Sequence, residues 1–597
     1  MRSGRNLTAL LLAAWIAVAG AGSAWATADE ITTASLLARH WTGGVVANAA
    51  FLPGPDAAPA HEDFAGTLVL AEARMTTVPA VFSSRRILGR DPKLFPAIAL
   101  GFVTDRGDLV PATQDVIRAG SAGQGRSFWD VIVQPGRVWS VAGDAGWSRA
   151  AFPFALVNSI EGETHNGFAT FLYRQGKLSN LRFQIVQQTA PFYVKDHFTA
   201  SGLVPARFRP LAGVDAAAVL QRYDAAQADA VPVASWDDLA GKVGAARLDG
   251  FDGATPVSDI VLSGLDFGGT FYLRRCDSAD EAAGPLPWCE RARFGVWSAT
   301  KALANAAALL RLAQKYGPEV FDLEIADYVP QAAHAAAWRG IRFGNAINMA
   351  TGIGDGSTRR DPNDINDGYI GPSYAAWYEA RTRAGKIAAI LRSSRRYPWP
   401  PGQVARYRDQ DMFMLGVAMD GFLKSKEGQQ ADLWSMLEHE VFAPIGIHDA
   451  PVNRTIEPGG QPGQPLMAFG YYPTIGDLVK LARLYQAGGA HDGVQILYRP
   501  RIGALLPGTT PRGLPTGEQQ QFGETTYFTA FWEERYDSPE GCKLQIPRML
   551  GWGGNMVALM PGGLTGIRLA HSDSDDAAVV DTTGMAVVAN RLVRFCG

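Results

Sequence analysis

The sequence predicts an α+β class for residues 246–597: an antiparallel sheet built from strands near both ends of that stretch, with helices inserted between them. Three observations lead there. A hairpin pattern at Ile260–Arg275 is followed at once by an apolar helical run from Ser298. Helices and loops then continue to about Leu506. Strand patterns return at Asn555–Met560 and Thr565–His571, around a Pro561-Gly562-Gly563 turn. Residues 27–245 read differently, as strands and turns with few long helical patterns, and are taken as a β-rich accessory domain whose role the residues do not disclose.

The size and composition agree with this division. A chain of 597 residues is too long for one ordinary core, so at least two domains are expected. Hydrophobic residues make up 47% and charged residues 19%, the balance of a folded protein rather than a disordered one. The net charge is -3 and no long basic run occurs, which argues against a nucleic-acid partner.

Taking the chain in order, residues 1–26 read as an export signal. Arg2 and Arg5 precede the apolar run Thr8–Gly20, and Ala24-Trp25-Ala26 offers a small-x-small cleavage site. The run is short for a bilayer span, and no later segment is long and apolar enough for one. The expected location is therefore periplasmic or secreted, with no stable membrane span once the signal is cut.

In the accessory region, Phe128–Val141 and Gly167–Gln188 read as hairpins about Pro135-Gly136 and Gln175-Gly176, and Val214–Ala230 as a helix. In the second region the hairpin Ile260–Arg275 turns at Gly268-Gly269. A strong helix follows at Ser298–Tyr316, with Gly317 at its stop. A last apolar helix is expected at Met585–Phe595. The four cysteines, Cys276, Cys289, Cys542 and Cys596, allow three pairings in an oxidising compartment. Cys276 with Cys289 and Cys542 with Cys596 is preferred, because each bond then staples elements of one domain. No C-x-x-C or H-E-x-x-H spacing calls for a metal.

Chemistry points to the start of the long helix. Ser298 and Lys301 are three positions apart and share a helix face. A serine hydroxyl needs a nearby base, and a lysine with a lowered pKa can serve. The Ser298 N–H, at a helix N-terminus, is placed to stabilise an oxyanion. By itself S-x-x-K is a weak signal. No G-x-S-x-G elbow occurs, and the acidic loop Asp355–Asp367 lacks calcium-loop spacing, so it reads as a solvated loop near the site entrance.

Further segments add to S-x-x-K in order. Tyr407-Arg408-Asp409 follows Pro401-Gly402. His439–Pro451 reads HEVFAPIGIHDAP, and Thr474–Leu497 reads TIGDLVKLARLYQAGGAHDGVQIL. Trp552-Gly553-Gly554 precedes a hairpin strand. Together they resemble the serine β-lactamase and penicillin-binding-protein superfamily, in its class C-like branch with esterases, from about Val257 to the C-terminus. The resemblance implies a β-lactamase/transpeptidase-like fold with an α-helical subdomain, and an acyl-enzyme on Ser298. It implies Lys301 and Tyr407 as the proton-transfer pair, and an oxyanion and substrate site at Trp552, Gly553, Gly554 and Asn555. Asn555 would supply the second oxyanion N–H from its backbone. Neither metal nor organic cofactor is implied.

The chain departs from that pattern twice. Asp409 stands where the branch usually has Asn, and a carboxylate there favours a protonated Lys301. That moves the base role toward Tyr407, or toward a Lys–Tyr pair titrating as a unit. Trp552 replaces the strand lysine that, in the family, helps bind a substrate carboxylate, and an indole offers a flat apolar wall instead. The expected partner is thus a small-molecule ester or amide, including lactones, with apolar groups; oligomeric state is left open. The alternatives are a β-lactamase or D-alanyl-D-alanine carboxypeptidase and, in another class, a non-catalytic penicillin-recognising protein.

Overall fold

The computed structural model describes residues 31–41, 43–83, 87–120, 125–354, 364–366, 373–572 and 577–596. Residues 1–26, read as an export signal, and most of the Asp355–Asp367 loop lie outside these residues. Among the described residues, an antiparallel sheet of twelve strands runs between Ala65 and Pro210, and a second sheet, of nine strands antiparallel but for one edge pair, between Val233 and Ala570.

The first sheet centres on Ser148–Val157, His165–Arg174 and Leu181–Gln188. Ser148–Val157 and Leu181–Gln188 are buried at every position, so both faces are covered and the strands lack in/out alternation. The hairpin read at Gly167–Gln188 is present: His165 pairs with Gln188, and the turn carries Gln175 and Gly176 at φ 48° and 71°. The one read at Phe128–Val141 is not a hairpin. Asp130–Val133 and Gly136–Trp139 both run antiparallel to Ser148–Val157 and lie end to end along it. Pro135 lacks the N–H a ladder needs, so it interrupts one strand path instead of reversing it. The ideal Cβ of Gly136 would fall 1.9 Å from the Ala151 carbonyl oxygen, an approach that requires glycine.

The second sheet is assembled from both ends of its region, as expected. Ile260–Phe267 pairs with Thr270–Cys276 on one side and with Thr565–Ala570 on the other. The sheet then continues through Asn555–Leu559 and Lys543–Gly551 to Leu514–Gln520. The strands between Leu514 and Gly551 were not read from the sequence, where Gly, Gln and Glu break the apolar alternation. A strand ahead of residue 246, Val233–Ser235, also joins this sheet, pairing parallel with Thr270–Cys276. The helix behind it, Trp236–Val243, carries a capping box at Ser235 and Asp238.

The expected helix Ser298–Tyr316 is not uniform. A 3₁₀ turn at Trp297–Ala299 leads into a π-helical stretch, Lys301–Ala306, and an α-helix, Ala307–Tyr316. Every residue of the π stretch is buried, and wide turns of this kind recur at functional sites. Asn305 donates to the Met412 carbonyl at 3.0 Å, and Tyr485 donates to the Ala302 carbonyl at 2.8 Å. These bonds fasten the stretch to the helices Asp409–Glu427 and Ile475–Gln486. The C-terminal helix spans Thr583–Leu592.

Cysteine pairs form as preferred, Cys276 with Cys289 and Cys542 with Cys596, at Cα separations of 6.4 and 6.3 Å. No described helix is long and apolar enough to cross a membrane. Polar contacts join the two sheets' regions. Asn453 donates to the carbonyls of Asn158 and Glu161 at 2.9 and 3.2 Å, and Gln187 donates to that of Asp277 at 2.8 Å.

Candidate active site

Four predicted residues meet around one nitrogen. Lys301 Nζ lies 2.6 Å from Ser298 Oγ, 2.8 Å from the Tyr407 hydroxyl, 2.6 Å from Asp409 Oδ1 and 3.1 Å from the Ala468 carbonyl. Lys301 and Asp409 side chains are 1% and 3% exposed, whereas Ser298 is only partly buried. The hydroxyl oxygen is therefore the reachable member of an otherwise enclosed cluster.

The electrostatics set two forces against each other. Complete burial lowers the Lys301 pKa, since a cation loses its hydration. The Asp409 carboxylate opposes that shift, and burial prevails. The carboxylate acts in the direction the sequence implied, raising the lysine pKa, and the burial that outweighs it was not visible in the sequence.

Local structure fixes each member. Trp297 adopts φ 47°, a left-handed conformation that costs a tryptophan on the order of 1–3 kcal/mol, immediately before Ser298. Its indole N–H donates to the Ala190 carbonyl at 3.0 Å, which helps hold that backbone. Tyr407 is held through its backbone N–H, which donates to Ile365 at 2.8 Å, and its ring stacks on Trp532 at 6.0 Å and 25°. Asp409 opens a helix of nineteen residues, Asp409–Glu427, where the helix dipole favours an anion. Its other oxygen accepts from the Tyr374 hydroxyl at 2.7 Å.

Trp552, Gly553 and Gly554 form the turn between Lys543–Gly551 and Asn555–Leu559, with both glycines at positive φ, 78° and 87°. Asn555 packs inside this hairpin, its amide donating to the Trp552 carbonyl at 2.8 Å and its carbonyl accepting from the Ala570 N–H at 3.3 Å. The residue found against the Ser298 backbone is Gly551. A Cβ there would lie 2.1 Å from the Val296 carbonyl oxygen and 3.2 Å from the Ser298 nitrogen.

Gly551, Tyr374 and Ala468 were missed from sequence. Gly551 left a trace, being the first of three glycines in GWGG; the other two sit in unremarkable surroundings. A further unread element is the buried loop Asn158–Thr164. A Cβ on its Gly162 would come within 3.4 Å of Trp297 Cα, which puts the loop directly behind the turn that carries Ser298. Burial pushes Glu163 up to about 8 and holds Glu161 well above its ordinary value, with Glu163 as an added like charge, while burial lowers nearby His165 to about 3. Among the described residues, no cluster of His, Cys, Asp or Glu is disposed to hold a metal ion.

Neither a family model nor a curated relative matches the chain. Solved structures do show likeness. A penicillin-binding protein homologue from Caulobacter crescentus is 15% identical, over 62% of this chain and 97% of that one, at a TM-score of 0.39. A class C β-lactamase from Rhodobacter sphaeroides is 15% identical, over 62% and 99%, at 0.38. A family VIII carboxylesterase is 15% identical, over 62% and 97%, at 0.36. These likenesses are too distant to carry residue roles. The roles rest on the site's own geometry.

Proposed function

We propose that the chain is an exported serine hydrolase that cleaves an ester or amide through an acyl-enzyme on Ser298. One observation carries this reading: Lys301 Nζ touches both the Ser298 and the Tyr407 hydroxyls in a buried setting that lowers its pKa. A nucleophile, its base and a second proton carrier then stand in hydrogen-bond contact.

In this scheme Ser298 Oγ attacks the carbonyl carbon while its proton passes to Lys301. Asp409, 2.6 Å away, stabilises the ammonium that forms. The Ser298 N–H donates to the developing oxyanion, and the backbone at Gly551 borders the same spot. On collapse the C–O or C–N bond breaks, and the leaving group takes the Tyr407 proton, which Lys301 replaces. Water then repeats the sequence on the acyl-enzyme, releasing acid and Ser298. Two cysteine pairs suit an oxidising compartment, and we assign residues 1–26 as the cleaved signal. Residues 27–245 are assigned as an accessory domain and 246–597 as the hydrolase domain, with Val233–Ser235 of the former lending an edge strand to the sheet of the latter.

The deciding experiment is the initial rate of p-nitrophenyl butyrate hydrolysis by the mature protein and its Ser298→Ala variant. Turnover by the wild type with loss of at least about a thousandfold in the variant supports the reading. Equal rates would remove Ser298 from the mechanism. No turnover by either, with penicillin labelling Ser298, moves the reading to the β-lactam-recognising alternatives.

A further inference from the structure

The segment between the strands Leu181–Gln188 and Thr199–Val204 leaves the first sheet and reaches the turns that flank Ser298. Two consecutive carbonyls on it each accept from a site indole. Ala190 takes the Trp297 N–H at 3.0 Å, and Pro191 takes the Trp552 N–H at 2.9 Å. Trp297 immediately precedes Ser298, and Trp552 immediately follows Gly551, which abuts the Ser298 nitrogen. Phe192, next along the segment, packs on both indoles, with ring centroids 6.2 Å from Trp297 and 6.1 Å from Trp552. Gly553 receives the segment: a Cβ on it would lie 2.1 Å from the Ala190 Cβ.

Exposure shows which surfaces stay open. Ser298, Trp552 and Phe192 are each partly exposed, while Trp297, Tyr193 and Tyr378 behind them are buried. Tyr193 stacks on Tyr378 at 5.8 Å and 11°, and Tyr378 on Tyr374 at 5.2 Å and 23°, so the segment is braced as far as the Asp409 partner. The exposed parts of Phe192 and Trp552 are thus apolar, rigidly held and joined to Trp297 and Gly551, which flank the Ser298 backbone.

We infer that Phe192, contributed by the first sheet, and Trp552, from the second, form an apolar wall that binds the acyl portion of the substrate. Phe192 is then a specificity-determining residue, and the substrates are esters or amides of uncharged acyl groups longer than acetyl. This inference rests on the Ser298 acyl-enzyme reading. It gives the first sheet a role in catalysis: half of the acyl site belongs to it.

The test uses the mature full-length protein, its Phe192→Ala and Phe192→Trp variants, and p-nitrophenyl acetate, butyrate, hexanoate and octanoate. Stoichiometric labelling of Ser298 by a fluorophosphonate is measured first, independently of acyl preference. In the wild type kcat/KM rises with chain length, by up to roughly fourfold per methylene that reaches the wall. Phe192→Ala flattens the octanoate-to-acetate ratio at least about tenfold, and Phe192→Trp moves the optimum to a shorter chain. Labelling with an unchanged ratio in both variants overturns the wall while leaving the nucleophile in place. Absence of labelling in the wild type takes down the nucleophile reading and the wall with it. Because the ratio is internal to each variant, a loss of folded protein does not alter it.

Discussion

Lys301 Nζ and Asp409 Oδ1 lie 2.6 Å apart, enclosed so fully that the two side chains retain only 1% and 3% exposure. Burial removes hydration from both partners, and the same nitrogen remains within reach of two hydroxyls. Asp409 raises the lysine pKa, so its removal lowers it further. In Asp409→Asn the rising limb of the kcat/KM–pH profile is expected at lower pH, by about one unit or more. The plateau is expected to fall as well, because the lysinium formed during attack loses its counter-ion. A limb that moves to higher pH, or stays put, would mean that Lys301 does not act as the neutral base.

Tyr407 shares Lys301 with Ser298 but stands apart as the second proton carrier. Tyr407→Phe keeps the ring that stacks on Trp532 and removes only the hydroxyl. The expected loss in kcat/KM, which reports acylation alone, is about 10²–10⁴-fold for an alkyl ester, whose leaving group needs the proton. It should be markedly smaller for a p-nitrophenyl ester, whose leaving group departs as an anion. Equal losses on the two substrates would place the tyrosine in the attack step.

Gly551 is constrained by approach, since a Cβ there would come 2.1 Å from the Val296 carbonyl oxygen. Gly551→Ala must displace the strand from the Ser298 backbone, an overpacking cost of about 1–3 kcal/mol. Activity is expected to drop by about 10²–10³-fold, as for loss of one oxyanion donor. Thermal melting checks the first effect and fluorophosphonate labelling rate the second.

The buried loop behind Trp297 predicts a pH dependence of stability. Burial raises Glu163 to about 8 in the folded state, against 4.5 as its ordinary value. The folded protein therefore holds a proton that the unfolded chain releases between these values. Its contribution is fully present below pH 4.5 and is lost as pH rises to about 8. Glu163→Gln removes one ionisation from the Glu161–Glu163 pair. The Tm of the variant relative to wild type should rise steadily between pH 5 and 8, by several degrees. A flat difference across that window would show that Glu163 ionises freely in the folded chain.

Much of the fold was legible where local signals and periodicity agree. Gly268-Gly269 sits at φ 59° and 83° in the hairpin its sequence announced, and Gln175-Gly176 turns as read. Pro135-Gly136 misled, because the same dipeptide can reverse a chain or merely interrupt a strand that a common neighbour, Ser148–Val157, keeps in line. The strands from Leu514 to Gly551 escaped reading since their polar residues are stabilised by sheet neighbours, which a local pattern does not contain.

By itself the sequence determined the chemistry-bearing residue types and their order: Ser298 and Lys301 three apart, Tyr407-Arg408-Asp409 later, and a glycine-rich turn after Trp552. Spacing within one helical turn is a local property, so it can be read along the chain. Tertiary structure alone decided how deeply Lys301 is enclosed, that Gly551 lies against the Ser298 nitrogen, and that Ala190, Pro191 and Phe192 arrive from the other sheet. These are relations between residues far apart in sequence. Desolvation and close packing depend on what surrounds a group in space, and that is fixed only once both sheets are folded together.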